Sequence, residues 1–357
     1  MARLFMKGNE AIAEAAVLAG CRFFAGYPIT PQNEIPEYLS RRMPQVGGVF
    51  IQGESEIASI NMVYGAAAAG VRSLTSSSSP GISLKTEGIS YLAGSRLPAV
   101  IINVMRGGPG LGSIFPAQSD YFQVTRAMGH GGFRTIVLAP STVQEAVVLT
   151  QKAFELSDRD RNPVVLAIDG CLGALMEAVE FPELTELSRL PDKTDWQLGV
   201  AGDRERRLIK SVFEEAEDQE QFNIEQAGLY KTWQSDLMVE EYQVEDAEYV
   251  YAAYGICARI ARTSVDELRR QGYKVGLIRP VTLYPFPEYS FARLDPMQVK
   301  GILIAEMTIP SQMIDDVRLG VSRDIPLATF GRSGGVVMQE EELTEAMLRM
   351  IQEKSRA

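Results

Sequence analysis

Apolar strand-length runs alternate with helical segments over residues 1–170 and again from 249 to the C-terminal helix, which predicts an α/β fold on parallel sheets. Three observations carry that prediction. The strand-length runs recur with helical periodicity between them. They are apolar throughout instead of alternating, as strands covered by helices on both faces must be. The loops after Gly26, Gln52, Ser76 and Met105 then fall at one carboxyl edge, where open α/β sheets bind ligands.

Taken in order, AIAEAAVLAG (11–20) has helical spacing, with Asn9 in the N-cap position and Gly20 as the stop. CRFFAG (21–26) is a short strand ending at Tyr27-Pro28-Ile29-Thr30-Pro31, where two prolines stiffen the backbone, and helix resumes from Asn33 through Arg42. GVFIQ (48–52) predicts a strand and EIASINMVYGAAAAG (56–70) an Ala-rich buried helix. VRSLTS (71–76) is strand-like, followed by Ser77-Ser78-Ser79-Pro80-Gly81 and a helix near 82–93. LPAVIINVM (97–105) is the clearest buried strand, ending in Arg106 and the loop GGPGLGS. A helix around 118–127, the strand TIVLAP (135–140), a helix over 142–157 and the strand PVVLAID (163–169) complete the set. Residues 171–245 lose the alternation, and the charge-dense stretch 203–221 is expected to be an exposed helical connector. A second α/β unit follows: YVYAAYG (249–255), a helix over 256–270, YKVGLIRP (273–280), KGILIAEM (300–307), IPLATF (325–330) and a helix over 339–354.

Length and composition narrow the function. With 357 residues, 46% hydrophobic and 23% charged, the chain has the make-up of an ordinary soluble protein of two compact domains. A formal net charge of −11 is unsuited to phosphate backbones, so no nucleic-acid partner is expected, and no apolar run is long enough for a membrane span. The opening residues lack the apolar core and cleavage site of a signal peptide. Cys21, Cys171 and Cys257 stand far apart, cannot ligate a cluster or a structural zinc by themselves, and fit a reducing cytoplasm. The single histidine, His130, removes multi-histidine sites and His-based triads from this chain. Acid–base chemistry would have to run through a carboxylate or a cofactor.

The common motifs fail. Gly107-Gly108-Pro109-Gly110-Leu111-Gly112 is not GxGxxG and no helix follows at once, and there is neither a phosphate loop nor a GxSxG elbow. Ser76–Ser79 could present hydroxyls and amides to an anion, or form a polar turn with an N-cap. His130, between glycines, reads as a turn residue, and Trp196 and Trp233 as packing anchors for the connector. Thr30, Glu56 and Arg106 remain at the predicted rim, where a hydroxyl, a carboxylate and a guanidinium could together bind a carboxylate substrate and move a proton. Each also has a plain structural reading: a turn residue, a first-turn carboxylate favoured by the helix dipole, and a strand-end cation.

At these residues the chain resembles the 2-oxoacid:ferredoxin oxidoreductases. The strings GYPITPQNEIPEYLSRR (26–42), ESEIASINMVYGAAAAG (54–70), TSSSSPGISL (75–84), NVMRGGPGLGSIFPAQSD (103–120), EDAEYVYAAYG (245–255) and LIRPVTLYPFP (277–287) carry the likeness over nearly the whole chain. It is nearest to the alpha-type subunit of the 2-oxoisovalerate enzymes, with 2-oxoglutarate and pyruvate relatives next. The resemblance implies a doubly wound, thiamine diphosphate pyrimidine-binding domain (1–180), a connector (181–246) and a smaller transketolase C-terminal-like α/β domain (247–357). It makes Glu56 the partner of the aminopyrimidine N1′ atom and sets the Tyr27–Pro28 backbone against that ring. Thr30 and Arg106 become contacts for the substrate carboxylate and carbonyl. In such an arrangement the cofactor carries the base, so one histidine suffices.

The family's diphosphate signature, GDG with a distal Asn, is missing; Ile168-Asp169-Gly170 is the nearest string. The resemblance therefore assigns Mg²⁺ and the diphosphate to a beta-type partner subunit. It assigns [4Fe–4S] clusters to a delta-type subunit, adds a gamma-type subunit, and makes coenzyme A the co-substrate and ferredoxin the electron acceptor. The expected reaction converts a 2-oxoacid, first 2-oxoisovalerate, and coenzyme A to acyl-CoA, carbon dioxide and reduced ferredoxin. A 2-oxoglutarate or pyruvate enzyme is the alternative. From other classes, a non-catalytic scaffold of the same fold and an NAD-dependent dehydrogenase are the rivals.

Overall fold

The computed structural model describes residues 3–126, 128–199 and 207–356, with side chains described through Glu353. The first unit runs β1 (Leu4–Lys7), α1 (Gly8–Leu18), β2 (Phe23–Gly26), α2 (Glu34–Arg42), β3 (Val49–Gln52), α3 (Glu56–Ala68), β4 (Ser73–Ser77), α4 (Pro80–Gly94) and β5 (Val100–Met105). It continues through α5 (Tyr121–Arg126), β6 (Ile136–Leu138), α6 (Val143–Asp160), β7 (Val164–Asp169), α7 (Gly170–Ala174) and β8 (Met176–Val179). After α8 (Ala216–Thr232) and β9 (Val239–Tyr242) come β10 (Tyr249–Ala253), α9 (Gly255–Arg270), β11 (Val275–Pro280), β12 (Thr282–Tyr284) and α10 (Glu288–Ala292). The chain closes with β13 (Gly301–Glu306), α11 (Ile314–Gly320), β14 (Leu327–Gly331) and α12 (Glu340–Arg356).

The α/β class expected from sequence is the one observed. A seven-stranded sheet has the order β12-β6-β7-β5-β4-β2-β3, parallel except for its antiparallel edge β12, and a five-stranded sheet has the order β14-β13-β10-β11-β9. Buried strand residues alternate between cores. Ile101 and Met105 of β5 face the layer of α3 and α4, while Val100, Ile102 and Val104 face α1 and α6. In β10, Val250 and Ala252 face the first unit, and Tyr249, Tyr251 and Ala253 face α9 and α12. The apolar runs of β5, β7, β10, β11 and β13 are continuous because both faces of these strands are covered.

Several local expectations shift. Asn9 lies inside α1, whose N-cap is Lys7; its buried amide instead donates to the carbonyl of Pro31 at 2.8 Å and to Glu34 at 2.9 Å. The helix α3 is buried on one side only, with Ile57, Asn61, Gly65 and Ala69 exposed at a four-residue spacing. Its small side chains suit close approach as well as burial, so composition alone could not tell the two apart. The connector's helix starts at Ala216, later than charge density suggested, with Glu217 and Asp218 in the first turn where the dipole favours them. Residues 203–206 of that expected helix lie outside the described residues, and 207–215 carry no helix.

The connector packs on its own chain. Trp233 is fully buried against Tyr230 and Tyr284, and Lys193 and Arg72 both pair with Asp158, at 2.6 and 2.7 Å. Trp196 lies under the Arg161 guanidinium. β9, from the connector, edges the second sheet, and β12, from the second unit, edges the first.

Candidate functional site

Gly26, Gln52, Ser77 and Met105 end four parallel strands, so the loops that follow open on one edge. Glu56 sits in the first turn of α3, behind an N-cap at Ser55 whose hydroxyl accepts from the Ala58 amide at 3.1 Å. It is 6% exposed, and its carboxylate makes no hydrogen bond among the described residues. The facing element is the start of α4, where Gly81 is held close: a Cβ there would lie 2.1 Å from Ser77 Oγ and 2.7 Å from Glu56 Oε1. Glycine at this position leaves the room that Glu56 and Ser77 occupy.

Arg106 follows β5 directly and is 5% exposed. Its guanidinium donates from Nη1 to the Thr30 carbonyl and from Nη2 to the Leu111 carbonyl, both at 3.0 Å, while Nε is buried without a partner among the described residues. It therefore binds two loops by their backbones and has no carboxylate in a salt bridge among the described residues. The structure brings Thr30 and Arg106 together through the Thr30 main chain; the Thr30 side chain is exposed and its hydroxyl accepts from Asn33 at 3.5 Å. Tyr27 and Pro28 are exposed on the same loop, and the Tyr27 carbonyl is fixed by the Gln32 amide at 3.2 Å.

The serine run is a built junction. Ser79 adopts φ +27° before α4, its amide donates to Asn103 at 3.1 Å, and its hydroxyl donates to Asp120 at 2.6 Å and accepts from the Arg106 amide at 3.0 Å. Burial pushes the Asp120 carboxyl up, and hydrogen bonds from Ser79 and Asn103 oppose that. Ser76 donates to Gln32, which in turn holds the Tyr27 loop. Ser77 Oγ and Ser78 Oγ are buried without partners among the described residues.

Sequence reasoning missed Gln32, Lys85, Asp120 and Gln118. Gln32 and Asp120 stand in strings already conspicuous, PITPQ and AQSD. Lys85 gave no signal, because a lysine on a helix is ordinarily exposed. Gln118 joins the two units: it donates to the Tyr254 carbonyl at 2.9 Å and accepts from the Met307 amide at 3.0 Å. His130 is an exposed loop residue, edge-on to Tyr91, far along α4 from Glu56.

The family model described as pyruvate flavodoxin/ferredoxin oxidoreductase, thiamine diphosphate-binding, matches residues 14–243, and the pyruvate:ferredoxin oxidoreductase core domain II matches residues 247–343. Together with the fold, these matches define a thiamine diphosphate-binding oxidoreductase subunit. The chain is 47% identical over 349 residues to the ketoisovalerate oxidoreductase subunit VorB of Methanothermobacter thermautotrophicus, covering 97% of each. It is 33% identical to the 2-oxoglutarate synthase subunit KorA of Methanocaldococcus jannaschii, covering 96% of this chain and 99% of that one. The chain belongs to the 2-oxoacid:ferredoxin oxidoreductase family. Its fold matches the 2-oxoglutarate:ferredoxin oxidoreductase from Magnetococcus marinus with a TM-score of 0.86 at 24% identity, over 98% of this chain and 65% of that chain. A split-gene transketolase matches at a TM-score of 0.60 and 13% identity. Both likenesses are of fold.

The residues at the edge fit the pyrimidine half of thiamine diphosphate. Glu56 is a shielded carboxylate without a hydrogen bond, Gly81 keeps the space beside it, and the hydroxyls of Ser77 and Ser78 are buried and unpaired among the described residues. An aminopyrimidine carries ring nitrogens and an amino group that such atoms would satisfy. Among the described residues no set of three His, Cys, Asp or Glu side chains could hold a metal ion, and no helix is long and apolar enough to cross a membrane.

Proposed function

We propose that this chain supplies the aminopyrimidine half of a thiamine diphosphate site in a multi-subunit enzyme. That enzyme oxidatively decarboxylates 2-oxoisovalerate with coenzyme A to acyl-CoA, carbon dioxide and reduced ferredoxin. The observation that carries the reading is Glu56, 6% exposed at the carboxyl edge of the sheet and facing the cradle at Gly81. The branched substrate is favoured by the greater identity to a ketoisovalerate subunit, 47% against 33% for a 2-oxoglutarate subunit.

When bound, thiamine diphosphate supplies the carbon nucleophile and, through its own ring nitrogen, the base. Glu56, shielded at the edge of the sheet, would accept a hydrogen bond from the pyrimidine N1′ and so hold a proton at that atom. Shielding from water strengthens this bond. The Tyr27–Pro28 backbone, braced by Gln32, would hold the pyrimidine ring. Arg106, already fixed by two carbonyls, offers its unpaired Nε to the carboxylate of the 2-oxoacid, and the Thr30 hydroxyl reaches its carbonyl.

A beta-type subunit completes the site with the diphosphate and Mg²⁺, a delta-type subunit carries [4Fe–4S] clusters, a gamma-type subunit joins the assembly, and ferredoxin takes the electrons. Residues 1–180 form the pyrimidine domain, 181–246 the connector and 247–357 the second domain. The free thiols Cys21, Cys171 and Cys257 fit the cytoplasm. The test is reduction of a low-potential carrier by the purified native complex with coenzyme A and 2-oxoisovalerate, 2-oxoglutarate, pyruvate or an aryl pyruvate. A preference for the branched acid is expected, with Glu56→Gln abolishing turnover. Preference for another acid removes the substrate assignment, and full activity of Glu56→Gln removes the role of Glu56.

A further inference from the structure

Lys85 lies on α4, one turn beyond Gly81 and on the same face of the helix. It is 0% exposed, which is rare for lysine and costly unless the ammonium is compensated. The side chain runs under the end of β4, where Nζ donates to Thr75 Oγ1 and to the Ser76 carbonyl. Neither partner carries a charge, and no carboxylate lies within salt-bridge distance of it among the described residues. The Thr75 hydroxyl donates to the Ala25 carbonyl at 2.7 Å, and Ser76 donates to Gln32, so the lysine underpins both the β2 and β4 ends of the site. Burial pushes the Lys85 ammonium down to about 7, and the charge of Glu56, from the adjacent α3, opposes this. A fully buried lysine whose charge is opposed only from a neighbouring helix by a shielded carboxylate is the kind of group found at functional sites.

We propose that Lys85 is a positioning residue for Glu56: a buried lysine held by Thr75 and Ser76, one turn along α4 from the Gly81 that the Glu56 carboxylate abuts, that fixes how the Glu56 side chain is presented to the site. The proposal rests on the assignment of Glu56 to the cofactor made above. Thiamine diphosphate meets Glu56 and not Lys85, so Lys85 acts through the strand end it supports.

The test uses the assembled native complex carrying Lys85→Met, Thr75→Val or Glu56→Gln, compared with wild type. With Lys85→Met, the dissociation constant for thiamine diphosphate should rise and turnover should fall, each by about 10-fold or more, while KM for the 2-oxoacid moves by less than about 3-fold. The near-ultraviolet circular dichroism of the bound aminopyrimidine should change as well, and the acid limb of the pH–rate profile should shift. Thr75→Val should move the same quantities less. Melting temperature gives a readout independent of turnover. The folded-state value for Lys85 is lowered, so wild type should gain stability relative to Lys85→Met as pH rises from about 7 towards 10.5. In Glu56→Gln that window should open at lower pH, because the opposing carboxylate is gone.

A Lys85→Met complex that assembles with wild-type cofactor affinity, turnover and pH profile overturns the proposal. Should Lys85→Met fail to assemble, a wild-type profile in Thr75→Val overturns it instead, as does an unmoved stability window in Glu56→Gln. Loss of the Lys85 effects with Glu56→Gln still inactive sinks this inference alone. Full activity of Glu56→Gln sinks the reading of the site beneath it.

Discussion

Arg106 donates through Nη1 to the main-chain carbonyl of Thr30 at 3.0 Å, tying together two loops that lie 76 residues apart in sequence. Its second arm holds Leu111 in the glycine-rich loop, so one guanidinium fixes the spacing of the two loops. The loop GGPGLG that imitates a nucleotide motif in sequence is, in the fold, the outer wall of this clamp.

Replacing Arg106 by Met should release both loops and remove the one cation expected to face the substrate carboxylate. A charge-assisted hydrogen bond contributes about 1.5–3 kcal/mol, so KM for the 2-oxoacid should rise by about 10- to 100-fold. Steady-state kinetics of the assembled complex check this, and an unchanged KM would assign Arg106 to loop structure only.

Gly81→Ala should injure the site without unfolding it. The added methyl would stand 2.1 Å from Ser77 Oγ and 2.7 Å from Glu56 Oε1, and both side chains must turn away. Displacing an aligned group by about 1 Å can cost about 100-fold in rate, while alanine is the better helix former. Turnover should fall steeply with the melting temperature held or raised; wild-type turnover would show that the cradle is slack.

Asn9→Ala should loosen the Pro31 turn, since it removes the amide that binds the Pro31 carbonyl and Glu34. The Pro31 carbonyl would lose its buried donor, costing about 1–2 kcal/mol in denaturant unfolding. Activity should suffer more than stability if the loop bearing Thr30 drifts.

Glu306 gives a pH dependence. Burial raises its carboxyl from 4.5 to about 7, although the hydroxyl of Ser311 and the amides of Gln312 and Met313 pull the other way. The native state holds this proton more tightly than the unfolded chain, so its contribution is fully present below 4.5 and is lost as pH rises to about 7. Wild type should lose stability relative to Glu306→Gln across that window, by at most about 1.4 kcal/mol per pH unit. Denaturant titrations at several pH values test it, and parallel curves would show that Glu306 is ionised throughout.

Much of the site was legible because its residues follow strand ends directly. Thr30, Glu56 and Arg106 could be placed at one edge from apolar runs and the loops after them, since strand direction fixes where each loop emerges. Their contacts were not legible. Nothing in the string RGGPG says that the guanidinium turns back to a carbonyl from the Thr30 loop, and nothing in ISLKTEG says that its lysine is buried whole. Asn9 misled for a similar reason: capping is a local preference, and a tertiary acceptor at Pro31 outbid it.

The sequence by itself determined the α/β class, the order of strands and helices, the family, and which loops share an edge. These follow from local periodicity and from residues whose spacing is fixed along the chain. Tertiary structure alone decided that β9 joins the second sheet and β12 the first, that α3 keeps one side open, and that Lys85 is buried whole on α4, one turn from the Gly81 that abuts Glu56. Strand pairing, exposure and the electrostatics of a buried charge all depend on which distant segments meet, and a local pattern holds no record of that meeting.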